Sequence, residues 1–423
     1  MKNNFLTAII FDENDANLFL KNKPEVNQIL PITLNAKAAL SNIDIKHLNT
    51  TDIYTDYSHA RVLARVRRME RTFLNDLKKD EHLSLATKEY LSSSLHIISS
   101  ISASFWEIVK RLRICLLPDG EKWIQVDSPR IAHKLLLKHL QNHIEKEPFI
   151  NEIKLVFCPL VVNYLNRLAF SFRNGQNLVF FSDFKYGLKK LSDHKDFNMF
   201  ALSIKYPKGN WKDIYHSLKF LWESLIQKKT STITVKPKYQ EQNSLVIQNL
   251  LEKINDPISS TMIEILNDSL VNSATLFEGS IVNVKTIVKE LKPHQIIAGQ
   301  LRWLSGPALG EAGKTFKIPV TLISHGSHHI DDSAIASFEQ KENANGLLFS
   351  SLSDKTLLQS PHAEAFAKKF EFTNGHRSKP IQWGNVSKKV SIPRDKLRFI
   401  LHAGSYKEWI SPRPWIYETP DEY

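Results

Sequence analysis

The residues best suited to chemistry stand together at "SHGSHHIDD", 324–332. An apolar run, "IPVTLI", breaks there into His325, Gly326, Ser327, His328 and His329, followed by Asp331 and Asp332. Four readings fit these residue types. A base is one, because imidazole titrates near neutral pH and His325 would sit at the end of a strand. A ligand cradle is another, because Gly326 lets backbone approach a bound group. A metal site would need His328 or His329 to converge with an aspartate, but adjacent histidines on extended chain point apart and no second spaced cluster exists, so no metal is expected. The last reading is a polar loop in which a histidine satisfies backbone groups.

Three other places carry candidate residues. "LHAGSYKEW", 401–409, has the form of a strand turning through small residues. Gly404, Ser405, Tyr406 and Lys407 could cradle a phosphate on backbone N–H groups, with Ser411, Arg413 and Trp415 adding contacts. Neither a Walker A nor a dinucleotide fingerprint is present. "AGQLRW", 298–303, places Gln300 and Arg302 at the end of the strand before the histidine loop. If the two strands are neighbours, Arg302 can meet a phosphate or carboxylate; the alternative is an arginine on a helix face. Asp12, Glu13 and Asp15 follow the first strand and can bind a hydroxylated acceptor, act as a base, or form a solvated loop.

The elements that must position these residues have α/β rhythm. "LTAIIF", "NQILPITLN", "NLVFFSD" and "MFALSIKY" read as buried strands. "NAKAALSNIDIKHLNT" reads as a short helix and then a short strand. Residues 57–115 are helical in pattern, and "EKWIQVDSPR" is a strand leading to Ser128-Pro129 at a helix start. "KKTSTITVKPK" reads as a polar linker or hairpin arm with some strand character. The 281–385 block reads as helix, strand, small-residue helix and strand, with further short strands at "NGLLFSS" and "PIQWG" around a helix at "SPHAEAFAKKF". That is βαβ organisation with parallel strands.

The chain has 423 residues, with 42% hydrophobic and 24% charged, so it exceeds one ordinary core and is globular in composition. The net charge of +12 favours anionic partners. Its densest basic run, "RVLARVRRMER" at 61–71, is interleaved with Val62, Val66 and Met69 and reads as the solvated face of a helix. No nucleic-acid module is recognisable, so no nucleic acid is expected as partner. Cys115 and Cys158 make neither a metal pattern nor a disulfide framework. No signal peptide and no apolar stretch of ~18 residues is present, which points to the cytoplasm, with any membrane contact peripheral at the inner face. Thr419, Pro420 and Glu422 have capping-box spacing, so the chain is expected to stop just inside a helix.

"IPVTLISHGS" after a small-residue helix, followed by "ILHAGSYKEW…PWIYETPDEY", resembles bacterial surface-carbohydrate glycosyltransferases of the GT-B type, including transferases of sialic-acid-like or Kdo-like sugars. "ITLNAKAALSNIDIKHLNTTDIY" fits the first domain of that family. The resemblance implies a GT-B-like α/β fold. Residues 1–385 would form a Rossmann-like acceptor-side domain with a helical insertion at 57–148, and 386–423 would begin a truncated nucleotide-sugar domain. It further implies a nucleotide-sugar donor, a glycan or lipid-linked glycan acceptor, and no cofactor. His325 would be the base, Gly326, Ser327, His328, Gln300, Arg302, Asp12 and Glu13 would bind substrate, and Gly404, Ser405, Tyr406, Lys407 and Arg413 would face the donor phosphates. A chain cut short in its donor domain is expected to lack transferase activity alone. Competing readings are a sugar epimerase or polyol-phosphate transferase of the same shape, and a basic nucleic-acid-binding α/β protein.

Overall fold

The computed structural model describes residues 5–146, 164–165, 168–169, 172, 178–182, 198–204, 210–226, 230–235, 241–302, 305–324, 337, 340–341 and 344–378. The described strands form two sheets in a mixed α/β chain.

The first sheet is built from β1 (Thr7–Ile10), α1 (Glu13–Asn22), β2 (Gln28–Pro31), α2 (Leu34–Asn42), α3 (Thr50–Ile53), α4 (Asp56–Lys79), α5 (Leu85–Leu112), β3 (Cys115–Asp119), β4 (Lys122–Val126) and α6 (Pro129–Lys146). Its strand order is β2-β1-β3-β4. β1 runs parallel to both β2 and β3, and β4 returns antiparallel through a tight turn at Gly120. All four residues of β1 are buried, which is why it reads as a continuous apolar run. The described residues of the segment 57–148 hold three helices and also the β3–β4 hairpin, which extends the sheet through β3 beside β1. The short strand expected after the helix in "NAKAALSNIDIKHLNT" forms no ladder; Ile45 packs half-buried against the α1–α2 layer instead.

In α4 the apolar stripe Val62, Val66, Met69, Phe73 and Leu77 is buried, while Arg67, Arg68 and Arg71 stay in solvent. Each buried side chain of this kind stabilises by about 1.5–3 kcal/mol, so this face fixes the helix against α5. Thr55 and Ser84 cap α4 and α5, accepting the N–H of Ser58 and of Thr87.

The second sheet comprises β5 (Leu178–Ser182), β6 (Asn198–Ile204), α7 (Asn210–Leu225), β7 (Thr230–Val235), α8 (Glu241–Glu252), α9 (Pro257–Leu291), β8 (Gln295–Ala298), α10 (Ser305–Phe316), β9 (Val320–Ile323), β10 (Lys355–Leu358), α11 (Pro361–Lys369) and β11 (Gly375–Arg377). All its strands are parallel, in the order β11-β10-β9-β8-β5-β6-β7. Numbered from β5 this is 3-2-1-4-5-6-7, the doubly wound order extended by one strand. "KKTSTITVKPK" supplies β7, a parallel edge strand rather than a linker or hairpin arm; Ser231, Ile233 and Val235 point inward and Thr232 outward. "NGLLFSS" forms no strand but a turn closed by one bridge between Asn345 and Phe349, and "PIQWG" lies outside the described residues.

α9 joins the two halves. Its 35 residues span roughly 52 Å, capped by Asp256 with Pro257 at the first position. Met262, Ile263, Leu266, Leu270 and Val271 enter the core shared with α4, α5 and α6, and Phe277, Ile281, Val284 and Val288 enter the core under the second sheet. A polar latch reinforces the junction. Buried Glu278 accepts from the Ser84 hydroxyl at 2.7 Å, from the Ser84 N–H at 3.3 Å and from Thr87 Oγ1. Glu311 of α10 accepts the Ala86 N–H and pairs with Lys285 of α9 at 3.2 Å. Two carboxylates thus face the first turn of α5, where the helix field favours anions.

Candidate functional site

In a doubly wound sheet the crevice lies at the carboxyl ends of the strands where the order reverses. In the second sheet that point falls between β5 and β8. The chain leaving β8 there is Gly299-Gln300-Leu301-Arg302.

The segment is held tightly. The Gln300 side-chain oxygen accepts the Arg302 N–H at 2.8 Å, and the Leu301 N–H donates to the Gly346 carbonyl at 2.6 Å. Gly346 has φ +76, and a Cβ on it would lie 2.7 Å from Arg302 Cβ. The turn at 344–349 therefore presses backbone against backbone where only glycine fits. On the other side, a Cβ on Gly306 in the first turn of α10 would collide with the Gln300 carbonyl. Arg302 is 6% exposed and lies in the bend between β8 and α10, not on a helix face. A guanidinium shielded from water, at the carboxyl end of a parallel strand, is well matched to a phosphate or carboxylate.

β8 and β9 are parallel neighbours, with Ala298 opposite Leu322. The condition that places Gln300 and Arg302 beside the strand feeding the histidine loop is therefore met. Ser324 closes β9: its hydroxyl accepts the Gln359 N–H at 3.2 Å, and its carbonyl accepts from Gln359 Nε2 at 2.7 Å. His325, Gly326, Ser327 and His328 lie outside the described residues, as do Gly404, Ser405, Tyr406, Lys407 and Arg413.

Asp12 and Glu13 stand on the other sheet, after β1, beside that sheet's own reversal between β1 and β3. Asp12 is the N-cap of α1 and accepts the Asp15 N–H at 2.8 Å. Asp15 Oδ2 accepts the Phe11 N–H at 2.9 Å, and Thr33 donates to the Phe11 carbonyl at 2.6 Å. Asp12 and Asp15 are buried, so the turn is an ordered cap and not a solvated loop; Glu13 points to solvent.

His139 of α6 completes this place, and sequence reading did not find it. Its Nε2 lies 3.3 Å from Asp15 Oδ2, and its ring meets Phe11 edge-on at 4.9 Å. The donor atoms of Asp12, Asp15 and His139 lie within 4.8 Å of one another, a set of two carboxylates and an imidazole that suits a divalent cation or an oriented proton acceptor. No spacing signal could have revealed it, because the three meet only when α6 folds back over β1. The chain matches no family model, no curated protein and no solved structure.

Proposed function

We propose that the protein is a GT-B-type glycosyltransferase of the surface-carbohydrate kind, moving a sugar from a nucleotide-sugar donor to a glycan or lipid-linked glycan acceptor. The observation that carries this reading is the position of Arg302: a shielded guanidinium at the order reversal of a doubly wound parallel sheet. There it binds an anionic group of the substrate, a donor phosphate or an acidic acceptor, with Gln300 fixing the local backbone. Positive groups at the leaving phosphate and a base at the acceptor hydroxyl are what sugar transfer requires. His325 takes the base role by its place one residue after Ser324.

The test is a transfer assay on the full-length protein with a panel of nucleotide sugars against neutral and acidic glycans, reading nucleotide release and product mass. Transfer from one donor, lost on Arg302→Lys without loss of fold, supports the reading. Turnover of a free nucleotide sugar into its epimer, or transfer of a polyol phosphate, would replace it.

A further inference from the structure

Away from both sheet reversals, α4 and the turn between α8 and α9 enclose a cavity of about 250 Å³. That is below the ~300–1,000 Å³ of pockets that take drug-sized ligands, so it admits a head group and not a whole nucleotide sugar. Its floor is apolar: Met69, Phe73 and Ile254 line it and are buried. Its rim is charged, with Arg65, Arg68 and Lys253 supplying three positive groups and Asp76 and Asp256 two negative ones.

The charges do not cancel. Asp256 is already engaged: it accepts the Ile258 and Ser259 N–H groups of α9 and pairs with Arg65 at 3.1 Å. Asp76 stands eight positions beyond Arg68 on α4, roughly 12 Å along the axis, too far to neutralise it. Arg68 and Lys253 are exposed, and among the described residues neither has an ion-pair partner. Arg68 belongs to the basic run at 61–71, and Lys253 follows the end of α8.

We infer that this cavity binds a phosphate carried on a small apolar body: the phosphate between Arg68 and Lys253, the apolar part on Met69, Phe73 and Ile254. Guanidinium and ammonium are the usual phosphate partners, and the apolar floor favours an amphiphile over a bare anion. The site is independent of the transfer reading, since it uses other elements and is tested by binding alone.

The experiment titrates the full chain with dihexanoyl phosphatidic acid below its micelle concentration, with inorganic phosphate, and with dihexanoyl phosphatidylcholine. Two double variants are compared: Arg68→Ala with Lys253→Ala, and Arg71→Ala with Lys79→Ala, which removes equal charge from exposed positions off the cavity. Thermal melts of both check the fold. The expected result is binding of the phosphatidic acid, weakened about tenfold or more by the first pair and unchanged by the second, with inorganic phosphate at least about tenfold weaker. Equal weakening by both pairs would mean diffuse surface charge, and no weakening by the first would remove the site. Inorganic phosphate bound as tightly as the lipid, or phosphatidylcholine bound equally well, would overturn the assignment.

Discussion

One oxygen of Asp15 serves two partners: Oδ2 takes the Phe11 N–H at 2.9 Å and lies 3.3 Å from His139 Nε2. The carboxylate thus locks the turn after β1 and stands against α6. Removing it leaves a buried N–H without its acceptor, at a cost of about 1–3 kcal/mol. Urea unfolding of Asp15→Ala is expected to show a loss of that size. His139→Ala, which leaves the Phe11 hydrogen bond in place, is expected to lose less.

Gly346 and Gly306 hold the Gln300–Arg302 segment from opposite sides. Gly346→Ala forces a side chain into a left-handed backbone with a Cβ against Arg302, and strain of this kind costs of order 1–3 kcal/mol. The expected outcome is a lowered melting temperature together with loss of whatever activity Arg302 supports. A melt unchanged within error would show that the turn does not grip Arg302.

His133 gives an acid-side signature. Burial pushes its pKa down to about 4 from the ordinary 6.5, the nearby Arg65 charge acts in the same direction, and its hydrogen bond to the Ser102 carbonyl opposes both. Between those values the unfolded chain holds a proton that the folded chain does not, so stability is present above pH 6.5 and is lost as pH falls toward 4. The loss from this residue is about 3 kcal/mol. Denaturation across that window should show the slope, and His133→Gln should flatten it.

Glu89 acts with the opposite slope. Burial raises its pKa, Glu311 raises it further, and the Ser351 hydroxyl opposes the shift. The folded state holds the proton longer than the unfolded state, so stability falls as pH rises above 4.5 through the raised value. Glu89→Gln is expected to remove that fall and to stabilise the protein near neutrality.

The long apolar runs were legible: β1 and β6 are buried along nearly their whole length and need no alternation to be seen. β7 was harder, because an edge strand carries polar residues such as Thr232 on its outer face, and its pairing with β6 is visible only in three dimensions. The first half of α9 was not read as helix, since Ser259, Ser269 and Ser273 dilute its stripe; the helix is stabilised by the core it enters with α4 and α5. Gln300 and Arg302 could be named from a strand end alone. Asp15 with His139 could not, because nothing local in α6 marks which histidine turns toward β1.

The most direct measurement is amide hydrogen exchange on the full-length protein with and without a nucleotide sugar and an acidic glycan together. The predicted result is slowed exchange at Gln300, Leu301 and Arg302 and at 346–349, reduced in Arg302→Lys. Unchanged exchange in both segments with donor and acceptor both saturating would contradict a substrate site at the reversal between β5 and β8.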